Sequence, residues 1–225
     1  NHDSHYRFRP DSDFWYLTGF AEPEAVLVLA PRPDASGPES VLFLRDKDRE
    51  QEIWNGRRLG VAAAPVALGV ADARPIERLA QDLPLLLEGF ERIVYRTGID
   101  EPRDRLVIET VSRMRARARG LVPPPVEILD TAPFAHELRL RKSAQEIEIL
   151  RRAAAISREA HEEAMRLARP GVLECEIDAA LEHAFRRLGS TGPAYTPIVA
   201  GGANATILHY VENDDPLRDG DLLLI

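Results

Sequence analysis

The feature that most constrains this chain is a change of pattern at Ser143. Short apolar runs alternate with helical patterns before this residue, whereas long amphipathic patterns follow it. Ser143 and Glu146 form a capping-box signature, in which each side chain binds a free amide at the start of a helix. Apolar residues then recur at helical spacing until Pro170-Gly171 ends the pattern. The sequence therefore predicts two domains, at 1–140 and 141–225.

The first domain shows the alternation of strands and helices that is typical of a layered fold, classed here as α/β (α+β). Apolar and aromatic runs predict strands at 14–18, 25–30, 41–44, 92–96 and 126–129. Polar stretches with spaced apolar residues predict helices at 46–54, 75–88, 103–117 and 131–142. The unbroken apolar run at 25–30 is typical of a strand that is covered on both faces.

A second amphipathic helix and then a β-hairpin are predicted in the second domain. Apolar residues within 177–188 share one helix face, and Gly189 suits the position just after a helix. Two apolar runs within 197–213 flank a Gly-Gly-Ala-Asn turn, which predicts two paired strands with His209 at the end of the second. The apolar run at 222–225 follows an Asp-Gly turn and predicts a buried strand.

Charge and composition exclude several classes of protein. A formal net charge of −8 argues against non-specific nucleic-acid binding, which depends on a cationic surface. No run approaches the roughly 20 apolar residues of a membrane helix, so no membrane partner is expected. The start of the chain shows no signal-peptide pattern. Cys175 is the single cysteine, which excludes an intrachain disulfide and is compatible with the cytoplasmic location that we predict.

Sequence motifs for common catalytic chemistries are absent. The chain has no His-Glu-x-x-His zinc motif, no glycine-rich phosphate loop and no Gly-x-Ser-x-Gly elbow. Acidic neighbours disfavour a reactive thiolate at Cys175, so a structural role is favoured. His209 is the best single candidate for chemistry, and the residues alone leave a structural role open. Trp54 precedes an Asn-Gly turn and is either a core residue or an exposed aromatic at an interface.

Five motifs, in colinear order, are shared with a known family. Two are Phe-Trp-Tyr-Leu-Thr-Gly-Phe at 14–20 and Trp-Asn-Gly-Arg-Arg-Leu-Gly at 54–60. The others are His-Glu-Leu-Arg-Leu-Arg-Lys-Ser at 136–143, Ile-Leu-His-Tyr at 207–210 and Asp-Gly-Asp at 219–221. Together they resemble the Xaa-Pro aminopeptidases, or aminopeptidases P, of the pita-bread metallopeptidase superfamily. The first two motifs are closest to aminopeptidase P, whereas prolidases and in part creatinase share the others.

The resemblance implies a fold, an activity and a set of cofactors. It implies a creatinase-like N-terminal domain followed by the first part of a pita-bread catalytic domain. The implied reaction is metal-dependent hydrolysis that releases the residue before a proline at position two of a peptide, by a homodimer or homotetramer. Two divalent metal ions, usually Mn²⁺, are implied, and their ligands would follow Ile225. The chain is therefore expected to be a fragment that lacks the metal ligands and is inactive alone.

Three residues match family positions that have a role. His209 falls on a histidine that lines the substrate site and contacts the scissile peptide or its oxyanion. Trp54 falls on an aromatic residue that reaches a neighbouring subunit's active site, and Arg119 on an arginine of the same intersubunit region. Two alternatives stay open: a prolidase that cleaves only dipeptides, and a metal-free relative that acts as a binding or assembly module.

Overall fold

The computed structural model describes residues 7–32, 39–117 and 123–225. The chain divides into two compact units, unit 1 (Asn1–Arg139) and unit 2 (Leu140–Ile225). None of the helices in the described ranges combines the length and the apolar content that crossing a bilayer requires.

The described part of unit 1 contains helices and strands that alternate along the chain. Its helices are α1 (Ser12–Thr18), α2 (Arg49–Asn55), α3 (Ala64–Leu68), α4 (Leu79–Leu86), α5 (Glu101–Arg117) and α6 (Ala132–Leu140). Its strands are β1 (Val26–Leu29), β2 (Ser40–Leu44), β3 (Asp72–Pro75), β4 (Arg92–Val94) and β5 (Glu127–Leu129). A short 3₁₀ helix at Ile76–Arg78 precedes α4.

Strand β2 is the centre of unit 1. It pairs antiparallel with β1 and parallel with β3, while β4 and β5 form a separate parallel pair. Residues 41–44 are fully buried. Leu42 and Leu44 pack into a cluster that includes Ala64 of α3, and the alternate residues Val41 and Phe43 pack against α4. The strand that is covered on both faces is therefore β2 rather than β1, where Leu29 is 58% exposed.

The strand predicted at 14–18 is wrong, because these residues form helix α1. Asp11 caps the helix, its carboxylate accepting hydrogen bonds from the amides of Asp13 and Phe14 at 3.0 and 2.9 Å. Gly19 ends it in a left-handed conformation with φ of 63°, and its amide donates to the carbonyl of Trp15. These caps at both ends outweigh the weak β preference of the aromatic residues between them.

The other predicted elements of unit 1 are confirmed, with ends that differ by a few residues. Helix α3 and strand β3 were not predicted, since each is short and neither has a regular apolar pattern. Strand β3 instead takes its place from pairing with the buried β2.

Unit 2 begins with two packed helices, α7 (Ala144–Leu167) and α8 (Glu174–Arg187). The predicted capping box is confirmed: the amide of Glu146 lies 3.2 Å from Ser143 Oγ, and the amide of Ser143 lies 2.7 Å from Glu146 Oε2. The core between the helices consists mainly of small and branched apolar residues, with Ala160, Ala164, Ile177, Leu181 and Ala184 among them.

The hairpin predicted within 197–213 is wrong. Strand β6 (Ala200–Gly201) is followed by a 3₁₀ helix (Gly202–Thr206) rather than by a second strand. Strand β6 pairs instead with β7 (Leu223–Leu224). The amides of Val199 and Gly201 bind side chains of Asn213 and Glu174, so the edge that a hairpin partner would use is occupied. The run at 222–225 contains the predicted strand as β7, but this strand is not buried, since Leu224 is 44% exposed.

Candidate functional site

A buried carboxylate lies at the start of helix α8, where it binds the segment that carries His209. Glu174 is fully buried. Its Oε1 accepts hydrogen bonds from the Gly201 amide at 2.7 Å and from Asn204 Nδ2 at 3.2 Å. Its Oε2 accepts hydrogen bonds from the Tyr210 hydroxyl at 2.7 Å and from the Asp215 amide at 3.1 Å. All four donors belong to residues 201–215, named here the histidine loop.

The donors around Glu174 also contact one another. Asn204 Nδ2 lies 3.1 Å from the Tyr210 hydroxyl and 3.0 Å from Asp215 Oδ2. Tyr210 is only 5% exposed, so its ring is buried along with its hydroxyl. Glu174, Asn204, Tyr210 and Asp215 are named here the Glu174 cluster. Because a buried polar group is costly unless it is hydrogen-bonded, the cluster favours a single conformation of the loop.

Asn213, near the end of the same loop, binds residues outside it. It is 3% exposed and has a positive φ of 49°, which asparagine tolerates better than most residues. Its Oδ1 accepts from the Val199 amide at 3.0 Å, and its Nδ2 donates to the Pro197 carbonyl at 3.1 Å and to Asp178 Oδ2 at 3.2 Å. The loop is therefore tied both to helix α8 and to the segment before β6.

The pKa values in the cluster favour an ionised Glu174 as acceptor and a neutral Tyr210 as donor. Burial by itself would raise the pKa of Glu174, but the four hydrogen bonds outweigh it and lower the pKa below its ordinary value. Burial, and then the hydrogen bond to Glu174, raises the pKa of Tyr210 to about 12. At neutral pH, Glu174 is therefore ionised and the Tyr210 hydroxyl donates to it.

His209 lies in the turn after the 3₁₀ helix, next to the buried Tyr210. Its side chain is exposed to solvent, and its neighbour Leu208 is 81% exposed. No group of the described ranges forms a hydrogen bond with its imidazole. An imidazole that is exposed on an anchored loop can donate or accept a hydrogen bond with a bound ligand.

Of the other two predicted site residues, the structure describes only Trp54. Trp54 lies on helix α2 and is 84% exposed, beside Ile53, which is 75% exposed. The interpretation of Trp54 as a core residue is therefore wrong, and the exposed aromatic agrees with the structure. Arg119 lies outside the described residues. Cys175 is exposed.

Sequence reasoning missed the residues that bind the histidine loop. Glu174 follows Pro170-Gly171 and is first in its helix, where an acidic residue is ordinary because it suits the helix dipole. The sequence pattern indicates only a turn residue at Asn204 and a neighbour of His209 at Asn213. The available signal was the polar residues that interrupt the apolar segment 197–213, with Asn204 and Asn213 among them, since buried polar residues need partners.

A metal site does not arise from the described residues alone. In the ranges 7–32, 39–117 and 123–225, no three His, Cys, Asp or Glu side chains converge as metal ligands. The residues described here thus do not fit the two metal ions that the resemblance implies.

Comparison with known proteins accounts for both units. Residues 1–95 match the model of the aminopeptidase P N-terminal domain, and residues 148–225 match metallopeptidase family M24. The chain thus carries an aminopeptidase P N-terminal domain at 1–95 and a metallopeptidase family M24 domain at 148–225. The predicted family and fold class are confirmed, and membership of M24 implies divalent metals in the family.

Similar proteins match the chain from end to end. It is 44% identical over 223 residues to the Xaa-Pro aminopeptidase of Escherichia coli strain K12, covering 99% of this chain and 50% of that protein. It is 43% identical to the Xaa-Pro aminopeptidase of Haemophilus influenzae, covering 100% of this chain and 49% of that protein. The structure of Pseudomonas aeruginosa aminopeptidase PepP matches with a TM-score of 0.93 at 44% identity, covering 100% of this chain and 50% of that one. The chain thus spans about half the length of these relatives.

The charge of Glu174 should make unit 2 sensitive to acid. Because the folded-state pKa lies below the ordinary value of 4.5, the stabilisation is fully present above pH 4.5 and is lost as the pH falls through the folded-state pKa. We expect E174Q to lower the free energy of unfolding by about 1–3 kcal/mol at neutral pH. The difference from wild type should shrink below pH 4.5. Urea denaturation followed by far-ultraviolet circular dichroism at stepped pH values measures it.

The matched control for this prediction is E182Q, since Glu182 is an exposed residue of the same helix that pairs with Arg186. Its effect should be below about 0.5 kcal/mol at neutral pH. A difference between E174Q and wild type that stays constant across the acid range would contradict the role of the charge.

Proposed function

We propose that the full-length protein is a metal-dependent Xaa-Pro aminopeptidase, which releases the N-terminal residue from peptides with proline in second position. The observation that carries the proposal is the colinear match of both units, at 44% identity over 223 residues, to a protein named Xaa-Pro aminopeptidase. Solved aminopeptidases P support it with TM-scores of 0.93 and 0.94 at the same identity.

In this proposal, His209 contacts the substrate. Its imidazole is exposed while its backbone neighbours are bound, so it can hydrogen-bond the scissile carbonyl or the oxyanion that develops there. Proline after the scissile bond makes a tertiary amide without an N–H, so the site needs no acceptor at that atom and can be shaped around the ring.

The metal ions are proposed to be two Mn²⁺ ions held outside the described residues. Membership of family M24 supports metal dependence, and one solved relative is named as Zn-substituted E. coli aminopeptidase P in complex with product. We place the enzyme in the cytoplasm, in line with its single cysteine.

Peptide length and metal dependence test the proposed activity. The full-length protein should release the first residue from Xaa-Pro-Yaa peptides, and replacement of the proline by alanine should lower kcat/KM on the order of 10²-fold. Chelation should abolish turnover and Mn²⁺ should restore it. Mass spectrometry of the products over time measures both effects.

The alternatives predict different results in the same assay. Cleavage of Xaa-Pro dipeptides without cleavage of longer peptides would identify a prolidase. No hydrolysis with any divalent metal would identify a metal-free binding or assembly module.

His209 should matter for turnover rather than for metal binding. We expect H209A to lower kcat by about 10²–10³-fold, because a hydrogen bond to developing charge is lost. Metal content, measured by atomic emission, should stay at the wild-type level. H183A is the control, since His183 is an exposed histidine on α8. Wild-type kinetics for H209A would contradict a role of His209 in turnover.

Trp54 and Arg119 are proposed to face a neighbouring subunit in a homodimer or homotetramer. The exposure of Trp54 at 84%, beside the exposed Ile53, supports this for Trp54. Because little of the Trp54 side chain is buried, W54A should leave the melting temperature within about 2 °C of wild type. Turnover should fall, or the mass measured by light scattering should shift to a smaller assembly. The control is V66A on α3, which is 93% exposed; equal kinetics and mass for both variants would contradict the proposal.

A further inference from the structure

The carboxylate of Glu174 binds the histidine loop at four points along its length. Its donors are the first residue of the loop, Gly201, then Asn204, then Tyr210, and finally Asp215 at the end. The bonds range from 2.7 to 3.2 Å. One side chain of helix α8 therefore fixes the loop on both sides of His209.

The contact closest to His209 is also among the shortest. Tyr210 follows His209 directly, and its hydroxyl lies 2.7 Å from Glu174 Oε2. With the Tyr210 ring buried, the backbone next to His209 has little freedom to rotate, whereas the imidazole stays exposed. Fixing one residue in this way sets the direction in which its neighbour projects.

Close packing brings the first donor against the carboxylate. Gly201 has no side chain, and a Cβ there would lie 2.7 Å from Leu217 Cδ2. A side chain at this position would therefore displace Leu217, whereas its Cβ would lie 3.5 Å from Glu174 Oε1, an ordinary contact distance.

An ionised carboxylate is the group that suits four hydrogen-bond donors around position 174. Each of its two oxygens accepts two hydrogen bonds, and all four donors are N–H or O–H groups. A glutamine would accept through one oxygen only and would turn an NH₂ group toward two of the donors. If position 174 only had to fill space in the core, an apolar residue with apolar neighbours could do so.

We propose that Glu174 is a positioning residue for His209, acting through Tyr210 and the backbone of the histidine loop. The proposal rests on the proposed function, because it assumes that His209 contacts the substrate. In this proposal Glu174 affects turnover although its carboxylate is fully buried.

A double-mutant cycle in the full-length protein tests this proposal. E174Q should lower kcat about 10- to 100-fold with little change in KM, because a misplaced group loses its effect in the transition state. In the H209A background the same change should lower kcat by less than about threefold, since there is no imidazole left to misplace. Equal losses in both backgrounds would show a purely structural role and would overturn the proposal.

The matched control is E176Q, the same chemical change in the same helical turn. Glu176 is exposed and accepts a hydrogen bond from the Leu173 amide at 3.1 Å, which glutamine can also do. E176Q should keep wild-type kcat. Y210F is a milder variant that removes one of the four donors. It replaces E174Q in the double-mutant cycle if E174Q does not fold.

Hydrogen exchange gives a readout that does not depend on activity. Peptides covering the histidine loop should exchange faster in E174Q and Y210F than in wild type, while those from α7 keep their rates. Unchanged exchange in the loop would overturn the positioning role even if the enzyme is an aminopeptidase. Faster exchange together with wild-type kinetics for H209A would instead refute the role proposed for His209.

Discussion

A buried charge needs several hydrogen bonds, and this requirement organises unit 2. Glu174 is fully buried at the start of α8, and its oxygens accept four donors from the histidine loop. Without those donors the carboxylate would be costly to bury, and without the carboxylate the donors would be unpaired. The loop therefore has one favoured path, which presents His209 to solvent while Tyr210 is buried.

Unit 1 is organised differently, around burial of an apolar strand. Val41 and Phe43 pack on one side of β2 and Leu42 and Leu44 on the other, so both faces of the sheet are covered there. Short elements such as β3 form because they border this strand. The exposed Trp54 lies on a helix that contributes no buried residue to this core, which leaves it available to other molecules.

The candidate site was only partly predictable. His209 was identified from its place beside an aromatic and a glycine-rich turn, and the family motif around it pointed to the same residue. Glu174 was not identified, because an acidic residue in the first turn of a helix has an ordinary explanation in the helix dipole. Its partner Asn204 lies 30 residues away, and no local pattern indicates that the two side chains meet.

The sequence by itself determined the features that depend on neighbouring residues. The capping box at Ser143, the amphipathic helices α7 and α8, and the family motifs are all local, and the structure confirms the helices. Tertiary structure decided whether a segment with β-forming residues became a strand. It did so at 197–213, where side chains of Glu174 and Asn213 took the backbone amides that a hairpin would have paired, whereas the helix at 14–18 depends on the local caps Asp11 and Gly19. The physical reason is that a backbone amide donates a hydrogen bond to whichever acceptor folding brings to it, and distant side chains can supply that acceptor.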